Sequence, residues 1–442
     1  MKLITTKRLR CGINEALWQL GVEDAARRIA TGELTSRALV DSCLAHIAEH
    51  EPRVHAWRHL DVEAALAQAE ACDGAERPAG SLHGVPIGIK DLIDTADMPT
   101  GYGSPIYDGN RPNADATCVA RLRAAGAVIL GKTVTTEFAT FKPPVTRNPH
   151  NVERTPGGSS SGSAVAVALS MVGATLGSQT AGSVIRPAAF CGTVGFKPSF
   201  GAINLDGVKP LSRDLDTLGT FARSVADAAL VARIIADAHG AIGQTPTGFL
   251  PPPTVALCRT PDWDKVEPST TALLEELVAR LSVAGAPAGE VVMEGAFAEL
   301  AEAQNVIMKA QAAVMLKREH SSNRDQLSPG LAKMLDEGAN MPRESLDAAM
   351  GIFTRCRVEA HHLFGDYDLL LTPAAPGEAP SQDSTGDPMF NRAWTALHVP
   401  CLTLPAGNGP TGMPLGVQLV ARGGDDGRLI AWARWIEEIL RG

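Results

Sequence analysis

The sequence lacks the features that mark membrane proteins and nucleic-acid-binding proteins. No stretch of 18 residues is free of polar side chains, so no membrane-spanning helix is predicted. The formal net charge of −9 and the absence of a basic run argue against nucleic acid or an anionic membrane as a partner. Residues 1–21 contain no unbroken apolar core, so we expect no signal peptide and a cytoplasmic protein.

Paired cysteines and close clusters of cysteine with histidine are also absent. The eight cysteines stand singly, which is typical of reduced thiols in a cytoplasmic protein. One metal-type pattern exists: His46-Ile47-Ala48-Glu49-His50 matches H-x-x-E-H. It lies at the end of a predicted helix, in a polar and surface-like pattern. We therefore predict no metal and no cofactor, and a zinc hydrolase remains an alternative.

Helical patterns alternate with short β-branched runs along most of the chain, which predicts an α/β fold. The stretch 239–253 is rich in proline and glycine and is the best linker candidate. We predict one large α/β/α domain at 1–442. Its parts would be N-terminal helices at 1–75, a catalytic core at 76–240, a helical cap at 254–365 and a C-terminal return to the sheet at 366–442.

The local patterns give provisional elements. Helices are predicted at 22–51, ending before Pro52, and at 62–72, 114–126, 163–175, 221–239, 268–284 and 426–441, with a long helical stretch at about 296–364. Strands are predicted within 83–95, 127–133 and 254–260, and in three apolar runs of the tail.

The unusual region is TPGGSSSGSAVAVALS at 155–170. Gly158 to Gly162 match the nucleophile elbow G-x-S-x-G, but that motif needs a strand directly before it, and NPHNVERTPGG is typical of a loop. A phosphate-binding loop would need a lysine that is missing here. A turn that caps the following helix is the plain structural interpretation.

Other blocks accompany this cluster. Lys90 lies in GVPIGIKD, and Ser183 lies in GSQTAGSVIRP, 24 residues after Ser159. FCG, GFKPSFG, PCLTLPAG and MPLGVQLVAR follow in that order. In the order and spacing of these blocks, residues 20–440 resemble the amidase signature family. The resemblance implies a mixed central sheet.

The resemblance also implies a mechanism. Ser183 would be the nucleophile, Ser159 would carry the proton through a cis Gly158–Ser159 peptide, and Lys90 would be the base. A lysine acts as a base only when it is neutral, and burial in an apolar strand lowers a lysine pKa. The alternative for Lys90 is an ion pair with Asp91 or Asp94. Ser160 and Ser161 would either join the relay or be plain turn hydroxyls.

The run from Thr180 to Ser183 can present successive backbone N–H groups to an oxyanion, and its small residues let a substrate approach them closely. The resemblance assigns this oxyanion hole to Thr180, Ala181, Gly182 and Ser183. An acyl-enzyme would form and water would complete the hydrolysis.

The sequence departs from the family's commonest form near the nucleophile. Gln179 replaces an aspartate, Ala181 replaces a glycine, and the arginine lies one place later, at Arg186. These features look most like malonamidase-type members, in which the shifted arginine binds a substrate carboxylate. The alternative is a structural arginine bonded to carbonyl groups or to Asp214 or Asp216. Further polar contacts to substrate are sought on the later helices, where Gln304 and Gln311 are candidates.

We therefore predict an amidohydrolase that cleaves a small carboxylic amide, with malonamate-like acidic amides as candidates. A carbamate, urea or aryl-amide hydrolase of the same family is one alternative. An amidotransferase subunit that passes ammonia to a partner is another, although MLDEGANMPRESLDAAMG lacks the G-x-E-V-K-R-R-I-x-x-G stretch usual in such subunits. By resemblance alone we expect a homodimer that binds a small-molecule amide.

Overall fold

The computed structural model describes residues 16–237, 241–244 and 250–442. Within these residues the fold is built on a mixed sheet of eleven strands, so the predicted α/β fold with a mixed sheet is confirmed. The strand order is β1-β3-β2-β4-β6-β5-β10-β11-β9-β7-β8. The strands are β1 Trp57–Leu60, β2 Pro86–Lys90, β3 Val128–Thr133, β4 Ala174–Gln179, β5 Val194–Lys197, β6 Thr217–Ala222, β7 Val255–Arg259, β8 Ala288–Val292, β9 Leu369–Pro373, β10 Cys401–Asn408 and β11 Pro414–Val420.

Helices cover the sheet. They are α1 Val22–Ala30, α2 Ser36–Val54, α3 Val62–Asp73, α4 Thr117–Ala124, α5 Ser161–Ala168, α6 Ile185–Cys191, α7 Val225–Ile235, α8 Pro268–Val283, α9 Leu300–Met315, α10 Lys317–Ser322, α11 Pro329–Ala339, α12 Arg343–Phe364, α13 Met389–Ala396 and α14 Asp426–Arg441. Over the described ranges, none of these helices is both long enough and apolar enough to cross a membrane.

The strands that carry the candidate site lie in the interior of the sheet. Strand β2 runs parallel to both of its neighbours, β3 and β4, and every residue of these three strands is buried. Parallel strands covered on both faces read as nearly continuous apolar runs, which is why PIGIK and VILGKT were recognisable as strands. The carboxyl ends of β2 and β4 therefore meet at one edge of the sheet.

Several predicted helix boundaries are wrong. Helix α2 continues through Pro52 to Val54, because a proline in the last turn removes only one hydrogen bond and Val54 is fully buried. The predicted helix at 163–175 ends at Ala168, and β4 begins at Ala174. A run of small apolar residues is compatible with a buried helix or a buried strand, so periodicity alone could not separate them.

The predicted cap at 254–365 is not helical throughout. β7 and β8 pair in parallel with each other, and β7 pairs with β9, so these two strands, which flank α8, extend the central sheet. The predicted long helix at 296–364 is divided into α9, α10, α11 and α12.

The predicted helix at 221–239 begins only at Val225, after β6, where Ser224 caps it. Of the predicted linker at 239–253, residues 239–240 and 245–249 lie outside the described residues.

Candidate active site

The site begins at the carboxyl end of β2, where the chain places Lys90. The β2–β4 register sets Ile89 opposite Leu176, so Lys90 lies level with the last residues of β4. Its Nζ is 2.7 Å from Ser159 Oγ, 2.9 Å from Ser160 Oγ and 2.9 Å from Ser178 Oγ. These three hydroxyl oxygens surround the amine. Because Lys90 is fully buried, the amine is also shielded from solvent.

The alternative ion pair for Lys90 is not present. Asp91 lies 3.4 Å from Lys132 Nζ, and Asp94 accepts a hydrogen bond from the Tyr102 hydroxyl at 2.7 Å. Burial lowers the pKa of Lys90 well below its ordinary value, and the negative charge of Asp216 only partly opposes that shift.

The loop before α5 carries Ser159 and Ser160. No strand occurs at 155–160, so the nucleophile-elbow interpretation is excluded. The Gly158–Ser159 peptide bond is cis. Gly157 has a φ of 81°, and a Cβ there would lie 2.8 Å from Pro187 Cα, so only glycine suits this close approach to α6. The loop and the start of α6 are therefore packed together.

The two remaining serines of the cluster have different surroundings. Ser160 Oγ contacts Lys90 Nζ and donates to the Ser178 carbonyl at 3.2 Å. Ser161 Oγ instead donates to the Val134 carbonyl at 3.4 Å. Ser160 therefore belongs to the lysine site, and Ser161 is a turn hydroxyl.

The turn between β4 and α6 is held by side chains on both sides. Gln179 Oε1 accepts from the backbone N–H groups of Val184 and Ile185, at 2.9 and 3.1 Å. Thr180 Oγ1 donates to Asp216 at 2.6 Å, and Gln304 Nε2 donates to the Thr180 carbonyl at 2.9 Å. Gln179, which replaces the family's aspartate, thus caps the start of α6.

This turn leaves backbone donors free. Within the part of the chain that the structure describes, the N–H groups of Ala181, Gly182 and Ser183 donate to no protein acceptor. A Cβ at Gly182 would lie 2.4 Å from Asn391 Oδ1, so the turn tolerates no larger residue without movement. The arrangement offers consecutive, rigidly held N–H groups to a negatively charged oxygen.

Ser183 lies in this turn and lines a small cavity with Thr180, Ala181 and Arg186. Its side chain makes no hydrogen bond to any described residue, whereas Ser159 lies within hydrogen-bonding distance of Lys90. The structure therefore brings Lys90 and Ser159 together and places Ser183 on the adjoining turn, with the two serine hydroxyls not bonded to each other. Catalytic hydrogen bonds are often long without substrate.

Arg186 is fully buried on α6. Its Nε donates to the Thr385 carbonyl at 2.8 Å and its Nη2 donates to the Gly158 carbonyl at 2.7 Å. The predicted alternative partners Asp214 and Asp216 are not bonded to it. Among the described residues, Nη1 has no hydrogen-bond partner. Burial lowers the pKa of this guanidinium, and a bound anion would oppose that shift.

Sequence reasoning misjudged the helix that faces the cavity. Gln304 holds the Thr180 carbonyl, and Gln311 accepts from Ser212 Oγ at 2.6 Å, so neither glutamine lines the cavity. Met308, one turn after Gln304 on α9, lines it instead. Ser178 was missed altogether. Only the pairing of β4 with β2 brings it to Lys90, because the carboxyl ends of parallel neighbours meet, and the sequence did not reveal that pairing.

The H-x-x-E-H residues do come together on α2. Ligand atoms of His46, Glu49 and His50 lie within 4.8 Å of one another. His46 stacks on Trp18 and contacts the Leu169 carbonyl through Nε2 at 2.7 Å. None of the serines or the lysine of the candidate site is among their contacts, so the cluster is a possible ligand set that is separate from the hydroxyl network.

Comparison with known proteins places this geometry in a family. Residues 38–430 match the model of the family described as Amidase. The chain is 46% identical to a subunit of the glutamyl-tRNA(Gln) amidotransferase of Roseiflexus sp. over 233 residues, which is 50% of this chain and 47% of that protein. It is 33% identical to the same-named subunit of Chloroflexus aggregans, over 94% of this chain and 95% of that one.

A solved structure extends the likeness to the fold. The native peptide amidase from Stenotrophomonas maltophilia superposes with a TM-score of 0.81 at 30% identity, covering 96% of this chain and 97% of that one. This similarity over nearly the whole length supports an enzyme that hydrolyses amide bonds. The chain belongs to the amidase family.

Proposed function

We propose that this protein hydrolyses a carboxylic amide, with Ser183 as nucleophile, Ser159 as proton relay and Lys90 as base. The observation that carries the proposal is the surroundings of Lys90. Its amine is fully buried, has no carboxylate among its described contacts, and lies 2.7 Å from Ser159 Oγ. A lysine in such a place is stable in its neutral form, which is the form that accepts a proton.

A neutral amine can make the close contacts of Lys90 Nζ to the three hydroxyls, and Nζ also lies 3.5 Å from the Ser178 carbonyl. Ser160 donates its own hydrogen to the Ser178 carbonyl, so its oxygen accepts one N–H of Lys90. Ser178 Oγ accepts a second N–H. A neutral amine has two hydrogens and one lone pair. In the proposed neutral form the lone pair is left for the third neighbour, and Ser159 Oγ, 2.7 Å away, donates its hydroxyl hydrogen to it.

The proposed reaction moves a proton along this chain of groups. As Ser183 Oγ attacks the amide carbonyl, its proton passes to Ser159 and the Ser159 proton passes to Lys90. The N–H groups of Ala181, Gly182 and Ser183 stabilise the oxyanion. Ser159 then returns a proton to the leaving nitrogen, and an acyl-enzyme on Ser183 remains for water to hydrolyse. The two serine hydroxyls must approach each other when substrate binds.

Substitution of the nucleophile tests this proposal. We expect Ser183→Ala to lower kcat by at least about 10³-fold on any amide that the wild-type protein hydrolyses, because the covalent step is removed. Ammonia release measures the rate. Ser161→Ala is the matched control, since Ser161 bonds only the Val134 carbonyl, and it should keep nearly full activity. Hydrolysis by Ser183→Ala at the wild-type rate would refute the assignment.

The acidic-amide hypothesis gains support from Arg186, which lines the cavity beside Ser183 and whose Nη1 has no hydrogen-bond partner among the described residues. A substrate carboxylate there would accept a charge-assisted hydrogen bond. The grip would be through one nitrogen only, because Nε and Nη2 are already bonded to carbonyls. We expect Arg186→Ala to lower kcat/KM on malonamate at least about tenfold more than on malonamide. An equal loss on both would mark Arg186 as structural.

A second candidate is an amidotransferase subunit, and the names of the two relatives favour it. Such a subunit would pass ammonia to a partner. Affinity purification from the source cell tests this, because a partner in equimolar amount and ammonia retained in the complex would replace the hydrolase proposal. Free ammonia released by the purified chain supports the hydrolase.

Light scattering on the same sample tests the proposed homodimer. A substrate screen separates amides from carbamates, ureas and aryl amides.

A further inference from the structure

The space beside Ser183 is too small for the proposed substrate. The cavity lined by Ser183, Thr180 and Arg186 has a volume of about 10 Å³, which is the room needed by one water molecule. A second cavity of about 290 Å³ lies next to it. Thr140 and Phe141 line both cavities, so this short segment is the wall between them.

We propose that the larger cavity is a subsite for the acyl group of the substrate, and that the enzyme therefore acts on amides with an apolar acyl chain or ring. This inference rests on the proposed function, because it takes Ser183 as the point of attack. The cavity's volume approaches the lower end of the range for small-molecule sites. It is lined by Thr140, Phe141, Lys142, Pro143, Ser328, Gly330, Leu331 and Met334.

The walls of this cavity suit an apolar group. Leu331 and Met334 are buried on α11, and Phe141 and Pro143 contribute apolar surface from the opposite loop. The only charged side chain in the lining is that of Lys142, which is exposed. Transfer of an alkyl or aryl group from water to these apolar walls is favourable in free energy. A carboxylate or amide placed against α11 would lose its hydration without gaining a hydrogen-bond partner.

The direction of proton transfer assigns this group to the acyl side. The leaving nitrogen must point to Ser159, which donates its proton. Ser159 is buried and lines neither cavity, whereas Ser183 lines the smaller one. The part of the substrate that extends past Phe141 is therefore the part bonded to the carbonyl carbon, on the side away from the nitrogen.

Phe141 is the residue that must move to join the two cavities. The loop is fixed as far as Thr140, whose carbonyl accepts from Thr136 Oγ1 at 2.6 Å and whose hydroxyl donates to the Glu137 carbonyl at 2.6 Å. Phe141 follows these bonds and is 43% exposed, which is high for a large aromatic side chain. A rotation of its ring would therefore open the wall without breaking the bonds at Thr140.

The cavity offers a position where it can be filled without disturbing the core. A Cβ at Gly330 would meet no atom within 4 Å, and Gly330 lines the larger cavity. Gly351 on α12 is equally open but lines neither cavity. Gly330→Trp is therefore the test variant and Gly351→Trp the matched control for the cost of a tryptophan in an open helical position.

The experiment measures ammonia release from acetamide, butanamide, hexanamide, phenylacetamide and malonamate, which share one leaving group. We expect kcat/KM to rise about fourfold for each added methylene that is buried, so that hexanamide and phenylacetamide exceed acetamide. Gly330→Trp should lower kcat/KM on the two largest amides at least about tenfold more than on acetamide. Gly351→Trp should change neither.

Three outcomes would overturn the subsite: no dependence on acyl length, a lower kcat/KM on hexanamide than on acetamide, or an equal effect of Gly330→Trp on acetamide and hexanamide. Ser183→Ala is run with every substrate in the same assay. Loss of all activity in that variant together with a flat acyl series refutes the subsite alone. Retained activity in that variant refutes the catalytic proposal itself.

Discussion

Two buried lysines on neighbouring strands have opposite surroundings. Lys90 at the end of β2 is surrounded by the hydroxyls of Ser159, Ser160 and Ser178, with no carboxylate among its described contacts. Lys132 in β3 lies 3.4 Å from Asp91 and donates to the Ile93 carbonyl and to Thr100 Oγ1, at 2.7 and 2.6 Å. Neither side chain is exposed.

The difference shows how one sheet can hold one buried lysine as a charged ion-pair partner and another as a neutral base. Burial lowers the pKa of both lysines, but the negative charge of Asp91 opposes that shift at Lys132. Lys132 is therefore suited to remain charged as half of a buried ion pair. Lys90 is suited to remain neutral as a base. The distinguishing feature is a carboxylate in contact with the amine, since both side chains are buried and Asp216 acts on Lys90 without contacting it.

The largest expected effect comes from removing the base. We expect Lys90→Met to lower kcat by at least about 10³-fold while the free energy of unfolding does not fall. Below the ordinary lysine pKa, the unfolded chain binds a proton that the folded chain excludes, so the native lysine costs stability at neutral pH. Amide hydrolysis and urea unfolding at pH 7 measure the two effects. An active variant, or one that unfolds more readily, would break the comparison.

The same substitution at Lys132 should have the opposite effect, a loss of stability with little loss of turnover. We expect Lys132→Met to lower the free energy of unfolding by about 3–5 kcal/mol, because Asp91 is left buried and unpaired. Turnover per folded molecule should change little. Adding Asp91→Asn to this variant should restore part of the stability, since it removes the unpaired charge. A loss of turnover without a loss of stability would show that Lys132 also takes part in the chemistry.

A smaller effect should follow from making the first site resemble the second. Ser178→Asp would set a carboxylate beside Lys90 and raise its pKa, because a nearby negative charge favours the protonated amine. Because Lys90 must be deprotonated to act, kcat/KM at pH 7 should fall at least about tenfold and recover as the pH rises. Ser178→Asn is the uncharged control and should show no such recovery. A pH profile that stays in place in Ser178→Asp would mean that Lys90 is not the titrating base.

Much of the site could be predicted from the sequence because its residues lie in short, ordered blocks. Lys90 and Ser159 were identified from GIKD and GGSSSGS, and the structure brings them within hydrogen-bonding distance. Ser178 was not identified, because a lone serine in an apolar strand carries no signal until the β2–β4 pairing is known. Arg186 was identified, but only the structure separates its two carbonyl-bonded nitrogens from the free one.

The fold was predictable where periodicity and breakers agreed. The helix at 268–284 and the closing helix at 426–441 match α8 and α14 closely, since each has a regular apolar stripe. The pattern could not reveal that β7 and β8 extend the sheet beyond β9, because β8 alternates between exposed and half-buried residues at its edge. The position of Phe141 between the two cavities could not be predicted from the sequence either, since it depends on how a loop packs against α11.

The protonation state of Lys90 tests the account most directly. Lysine labelled with ¹³C at Cε reports the charge of each amine by NMR, and the Lys90→Met and Lys132→Met spectra assign the two buried signals. At pH 8 we expect the Lys90 signal to be that of a neutral amine and the Lys132 signal that of a charged one. A Lys90 signal that stays charged up to pH 10 would contradict the account, because no base would then be present to accept the proton of Ser159.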